Sequence, residues 1–232
     1  MPKNWNKGQT KETNISVRKI SETMKRKNID NFYKWREIQY KLGNIKRDFK
    51  DLKKSKQLAE LIGVVWGDGN IEKFPRTERL VISGDNAKYS FIDRYSQMVE
   101  KIFDKKPTVM KSNQTNAVRI SIYQNKISER LKVPTGSKFH LKIMLHKWIK
   151  QDKLYLTYFL KGLYEADGSL SHHKKTYTYN FCFSNVNQSL LDVVEDALIK
   201  FGFHPERRIN SVRLRRKLEV EKFAEMIKFR QY

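Results

Sequence analysis

The sequence predicts an α+β fold of two similar halves preceded by a basic extension. Three observations carry this. A nine-residue apolar segment ending in Asp-Gly occurs twice, each copy leads into strand-like stretches and amphipathic helices in a similar order, and the first quarter of the chain is dense in charge. The 232 residues include 48 Lys+Arg against 25 Asp+Glu, a net charge of +23, which points to a polyanionic partner. At 39% hydrophobic and 12% aromatic, the chain can still bury a core. Apolar runs such as Leu61 to Trp66 are too short to span a bilayer, and Met1 to Gly8 lacks the apolar stretch of a signal peptide. A soluble intracellular protein without a membrane partner is therefore expected. The single cysteine, Cys182, has no partner for a disulfide and no Cys or His cluster for a zinc site.

Residues 1–55 hold 16 Lys+Arg and 6 Asp+Glu, and residues 56–232 hold 32 and 19. The extension's apolar residues (among them Trp5, Phe32, Trp35 and Leu42) are too scattered for a core, so short helices that order against a partner are expected. Val17, Ile20 and Met24 fall at helical spacing, with Arg18, Lys19, Lys25 and Arg26 over the other turns. Such a run is either a solvated face or a nucleic-acid contact, and the interleaved aromatic residues favour the contact.

The first copy of the repeat runs from Leu61 to Gly69 and the second from Leu160 to Gly168, with Asp68 and Asp167 99 residues apart. Each is an apolar helix by its spacing, with a glycine, Gly63 or Gly162, five residues before the aspartate. After the first copy, strands are predicted at Asn70 to Phe74 and Arg79 to Ser83, then a helix with Phe91, Tyr95, Val99 and Ile102 on one face. Strands at Thr108 to Lys111 and Ala117 to Tyr123 follow, the latter alternating Val118, Ile120 and Ile122 with Arg119, Ser121 and Tyr123, and a short helix from Lys126 to Leu131 closes the unit. After the second copy come a strand at Tyr177 to Ser184, a helix with Leu190, Val194, Leu198 and Phe201, strands at Arg207 to Asn210 and Ser211 to Arg216, and a helix using Val220, Phe223 and Ile227. Val133 to Asp152 links the halves, giving boundaries at 1–55, 56–152 and 153–232. Each half should cover one face of an antiparallel sheet with helices, leaving a polar, basic face of a size to enter a DNA major groove.

A glycine inside an apolar helix costs roughly 1 kcal/mol relative to alanine, so two at equivalent positions require a reason, and close approach of the two helix backbones supplies one. Packing through Gly63 and Gly162 would bring Asp68 and Asp167 out together at the C-terminal, negative ends of two helix dipoles. Carboxylates so placed repel unless cations lie between them, and oxygen donors of this kind suit Mg²⁺. Two such ions on a DNA strand make a phosphodiesterase. Either Asp-Gly alone reads as an ordinary helix stop; the duplication in register is what turn chemistry does not explain.

Both segments resemble the helix that defines the LAGLIDADG homing endonucleases, here in the single-chain, two-repeat form, over residues 55–232. The second copy reads L-K-G-L-Y-E-A-D-G; the first reads L-I-G-V-V-W-G-D-G, with Trp66 where the family often has an acid and Gly67 where it has alanine. The resemblance implies a saddle of two sheets over a long, asymmetric double-stranded DNA site, and cleavage of both strands across the minor groove to leave short 3′ overhangs. It implies Asp68 and Asp167 as catalytic metal ligands, joined by the carbonyls of Gly67 and Ala166, with Mg²⁺ as cofactor and Mn²⁺ or Ca²⁺ able to occupy the same sites. Polar pocket residues are sought at Ser83 to Asn86 and Ser184 to Asn185, and DNA contacts at Arg119, Arg213 and Arg215 on the last strands. His172 and His173 are expected in a surface loop. Residues Trp5 to Thr13 and Val17 to Glu22 resemble the small modular DNA-binding motifs appended to homing nucleases, which would make Arg18, Lys19, Lys25 and Arg26 DNA contacts. The expectation is a monomeric, intron-encoded or free-standing endonuclease in a DNA-containing compartment. An intron-RNA-binding maturase and a catalytically silent DNA-binding protein of the same fold are the alternatives.

Overall fold

The computed structural model describes residues 6–27, 29–44, 49, 51–112 and 115–231. The chain divides into two units, Met1–Phe49 and Lys50–Tyr232.

In the first unit, α1 (Ile15–Arg26) starts where the Asn14 side chain accepts hydrogen bonds from the Ser16 and Val17 amides, at 2.8 and 3.2 Å. It ends on Lys25 and Arg26, whose charge suits the negative end of the helix. Arg18, Lys19, Lys25 and Arg26 are all exposed, and the Arg18 Nε donates to the Lys11 carbonyl at 3.0 Å. The second helix, α2 (Tyr33–Lys41), leaves Trp35 and Ile38 exposed, as are Phe32 before it and Leu42 after it, and neither helix buries a residue. Trp5, part of the expected DNA-binding motif, lies outside the described residues.

The second unit repeats one plan. α3 (Lys56–Trp66) leads into the hairpin β1 (Gly69–Lys73) and β2 (Glu78–Asp85), then α4 (Tyr89–Phe103), the hairpin β3 (Thr108–Lys111) and β4 (Ala117–Gln124), and α5 (Ile127–Leu131). A connector carrying α6 (Lys147–Gln151) joins this half to the next. There α7 (Lys153–Asp167) is followed by β5 (Gly168–His173), β6 (Thr178–Ser184), α8 (Gln188–Lys200), β7 (Glu206–Arg208), β8 (Ser211–Leu214) and α9 (Lys217–Ile227). The two antiparallel sheets have the same order, β1-β2-β4-β3 and β5-β6-β8-β7. The glycine after each motif aspartate opens its sheet, with Gly69 opposite Ile82 and Gly168 opposite Phe183.

Alternation on β4 sets which face is buried: Val118, Ile120 and Ile122 are inside, as the period of two predicts, and Ile120 and Ile122 share the core with Phe91, Tyr95 and Val99 of α4. In the second half, Phe181, Phe183, Val212 and Leu214 pack under α8 and α9, with the Tyr164 ring edge-on to Phe181 and Phe223 at 4.7 and 4.9 Å. Each such side chain contributes about 1.5–3 kcal/mol by leaving water. Charged side chains are buried as well, Glu60 the most completely. Glu60 of α3 accepts from the Arg94 guanidinium at 2.8–2.9 Å and from the Tyr95 hydroxyl at 3.1 Å, which supplies the partners that a buried carboxylate requires.

The structure departs from the sequence-based expectation in three places. His172 and His173 are the last residues of strand β5, not loop residues, and His172 stacks on Tyr179 across the hairpin at 4.2 Å. Arg215 lies beyond β8, which stops at Leu214 because Arg216 already serves as the N-cap of α9. The polar sheet faces are also less uniformly basic than expected: Arg79 pairs with Glu72, and Arg213 with Glu206 at 3.1 Å, each on the neighbouring strand, while Arg119 is exposed. Among the described residues no helix is long and apolar enough to cross a membrane.

Candidate active site at the paired helix ends

The site is built by the contact of α3 with α7. A side chain added at Gly63 would collide with the Phe159 carbonyl and lie 2.9 Å from the Leu163 amide nitrogen; one added at Gly162 would collide with the Glu60 carbonyl and lie 2.8 Å from that of Val64. The helices thus meet backbone to backbone, which only glycine allows here. One turn further, a Cβ at position 67 would stand 2.5 Å from the Ala166 Cβ and 3.2 Å from the Asp167 Oδ2. The departure Gly67 in the first copy therefore has a steric cause, since the second copy's alanine already occupies the space between the helix ends.

Asp68 follows the C-cap Gly67 of α3, and Asp167 is the last residue of α7. Burial pushes the Asp167 carboxyl up to about 6, and the neighbouring Asp68 charge adds to this; a hydrogen bond from the Asn185 Nδ2 at 2.9 Å and the charge of Lys138 pull the other way. Asp68 is also raised by burial, against the opposing charges of Lys138 and Lys88.

Lys138 is the residue that the sequence reading missed. It lies in the connector, and its ammonium donates to the carbonyls of Val65, Trp66, Gly67 and Gly69, at 2.6, 2.9, 3.1 and 2.6 Å. Carbonyls at the end of α3 and at the start of β1 thus share one cation, which also faces both aspartates. Burial brings its pKa down to about 8 despite them. Asn187 holds the connector in place, its Nδ2 donating to the carbonyls of Lys138 and Leu141 at 2.5 and 3.0 Å. Nothing marked this lysine out in a chain with 48 Lys+Arg.

The donor set fits a hard divalent cation. Two carboxylates of like charge stand close together, and the Gly67 carbonyl keeps a lone pair beyond the one Lys138 uses, so the donors are all oxygen. Such an ion would take the rest of its shell from water or phosphate oxygens. Replacing Lys138 by methionine should raise the Asp167 pKa above 6, since its charge now lowers it. A carboxyl titration followed by NMR should show the rise, and an unchanged Asp167 midpoint in the variant would contradict it.

Two sheets carried by paired helices with acidic ends define the LAGLIDADG two-domain fold, and residues 155–228 match the family model of the LAGLIDADG-like domain. Among solved structures, the chain is similar to mesophilic variants of the homing endonuclease I-DmoI, at 19% identity and a TM-score of 0.54, covering 74% of this chain and 94% of that one. I-DmoI in complex with DNA and Ca matches at 19% identity and a TM-score of 0.51, over 74% and 88% of the two chains. Full-length DUF199/WhiA from Thermatoga maritima matches at 16% identity and a TM-score of 0.55, over 76% of this chain and 56% of that one. A search of curated proteins gave no match.

Proposed function

We propose that the chain is a site-specific, divalent-metal-dependent endonuclease that hydrolyses both strands of a long asymmetric DNA site across the minor groove and leaves short 3′ overhangs. The pair Asp68 and Asp167 at the ends of α3 and α7 carries the reading. They are the proposed catalytic metal ligands, with the Gly67 and Ala166 carbonyls, and Mg²⁺ is the proposed ion. Divalent cations bound there supply Lewis acidity at the scissile phosphate and water activated for attack. The protein's own share is charge and position. Lys138 brings an ammonium to the same end of the helices, Asn185 fixes one oxygen of Asp167, and Arg119, Arg213 and Arg215 offer contacts to the DNA backbone. The likeness to I-DmoI, solved in complex with DNA and with Ca or Mn, supports this assignment. Both half-sites lie on one chain, so a monomer suffices, working in a DNA-containing compartment.

The test is the purified chain with Mg²⁺ and a library of duplex sites. Double-strand cutting at one site with 3′ overhangs is expected, with activity lost at acid pH as the proton competes with the metal for Asp167, at a pH that falls as Mg²⁺ is raised. Binding of duplex DNA or structured RNA without cutting would overturn the reading.

Residues 1–49 are proposed as an arm that extends the footprint through Arg18, Lys19, Lys25 and Arg26. Removing them should weaken DNA binding and, if each neutralises one phosphate, reduce the slope of log K against log salt by about 3–4. The cleavage position should stay unchanged. A shifted cut would mean that the arm reads sequence rather than charge.

A further inference from the structure

Two buried charged residues of α7 have no part in the mechanism above. Lys161 and Glu165 are 5% and 3% exposed, and both reach the segment that follows α9. The Lys161 Nζ donates to the Lys228 carbonyl at 3.0 Å, and the Arg230 amide donates to the Glu165 Oε1 at 2.7 Å. The segment needs such fastening. Lys228 and Arg230 both have left-handed backbones, at φ 50° and 51°, a conformation that costs roughly 1–2 kcal/mol for a residue with a side chain. So held, Arg230 turns its guanidinium to the Gly168 carbonyl at 3.3 Å, over the Phe229 ring at 4.6 Å.

The other half contains the counterpart. Gly168 stands 99 residues after Gly69, as Asp167 stands after Asp68, and the Gly69 carbonyl accepts from Lys138. Each half thus sends a basic side chain, from the segment after its last helix, to the carbonyl of the glycine beside its motif aspartate. They differ in what remains available. The Lys138 ammonium is spread over four carbonyls, whereas the exposed Arg230 guanidinium has five N–H donors in a planar fork suited to phosphate.

We propose that Glu165 and Lys161 are positioning residues that clamp the segment 228–231, so that Arg230 engages a DNA phosphate on the second half's side of the site. This rests on the endonuclease reading. Without the clamp the segment should leave its strained course and Arg230 its place, while the sheets, helices and Asp167 stay where they are.

Two measurements test it. In the first, cleavage of a supercoiled plasmid carrying the target site is followed from circle to nicked circle to linear DNA. Arg230→Ala should slow one of the two strand cuts on the order of 10²-fold, so that nicked circles accumulate, and Arg230→Lys should restore part of the second cut. Glu165→Leu should reproduce the accumulation, and Glu165→Gln, which keeps an oxygen to accept from the Arg230 amide, should not. In the second, hydrogen exchange at the Arg230 amide should quicken at least about 10-fold in Glu165→Leu and hold its rate in Glu165→Gln. Should Glu165→Leu not fold, Lys161→Met and the exposed-site variant Arg230→Ala make the same nicking comparison. Equal slowing of both strand cuts, or a quickened amide with wild-type nicking, would overturn the proposal. If the unaltered protein cuts no duplex, the endonuclease reading fails, and the exchange experiment still decides whether the clamp exists.

Discussion

Asp167→Asn should abolish cleavage, by at least about 10³-fold, and yet raise the melting temperature of the metal-free protein at pH 8. Both effects come from one environment. Burial and the Asp68 charge hold the Asp167 carboxyl at about 6, above its ordinary 3.8, so the folded state binds that proton more tightly than the unfolded chain does. Its contribution to stability is complete below about pH 4 and is lost as pH rises through 6. Above that, the wild-type protein carries a charge that the fold disfavours unless a cation accompanies it. Asparagine removes the charge and keeps an oxygen for the Asn185 amide. A shift of about 2 units corresponds to roughly 3 kcal/mol, and discounting for the water that still reaches the site leaves about 1–2 kcal/mol, or a few degrees. The gain should vanish at pH 4, and saturating Mg²⁺ should stabilise only the wild type. Asp68→Asn should lose cleavage equally but gain less stability, because Lys138 and Lys88 already offset its charge. A variant that still cut, or one that melted lower than wild type at pH 8 without metal, would contradict this account of the site.

The two aspartates were legible because the repeat states them twice in register, and the sheets because β4 alternates in burial and β6 in residue type. Strand β5 was not, since Gly168 to His173 is exposed at every position but the first and so carries no alternation to read. Its edge position, paired only with β6, explains the missing pattern. Asn185 fell within a region singled out for the pocket, but the sequence could not say that it would bond Asp167. Lys138 and Arg230 were out of reach for a different reason. Their roles come from segments that follow the last helix of each half and return to the motif glycines, and the partners of Lys138 lie about 70 residues away in the chain. A basic residue that acts by position is indistinguishable from one that is merely solvated. Glu60 is similar: only the fold shows that Arg94, 34 residues on, completes it.

Gly162→Ala should be among the most damaging substitutions of a single methyl group in the chain, costing at least about 3 kcal/mol in chemical denaturation. The added carbon would run into the Glu60 carbonyl and lie 2.8 Å from the Val64 nitrogen, and both are backbone atoms of α3 that no rotamer change can move aside. The fold could accept it only by parting α3 from α7, and parting them separates the carboxylates at their ends. Any folded remnant should therefore show an Asp167 pKa lower than 6, as the Asp68 charge recedes, together with weaker Mg²⁺ binding. Position 67 provides the contrasting case. There the obstruction is chiefly another side chain, the Ala166 Cβ at 2.5 Å. Gly67→Ala alone should impair stability and cleavage, and Gly67→Ala with Ala166→Gly should recover most of both, because the pair needs one methyl group between the helix ends and either helix can supply it. Recovery at 67 with no comparable rescue at 162 would separate a side-chain fit from a backbone contact, and would place the requirement for glycine in the body of the helix pair rather than at its acidic end.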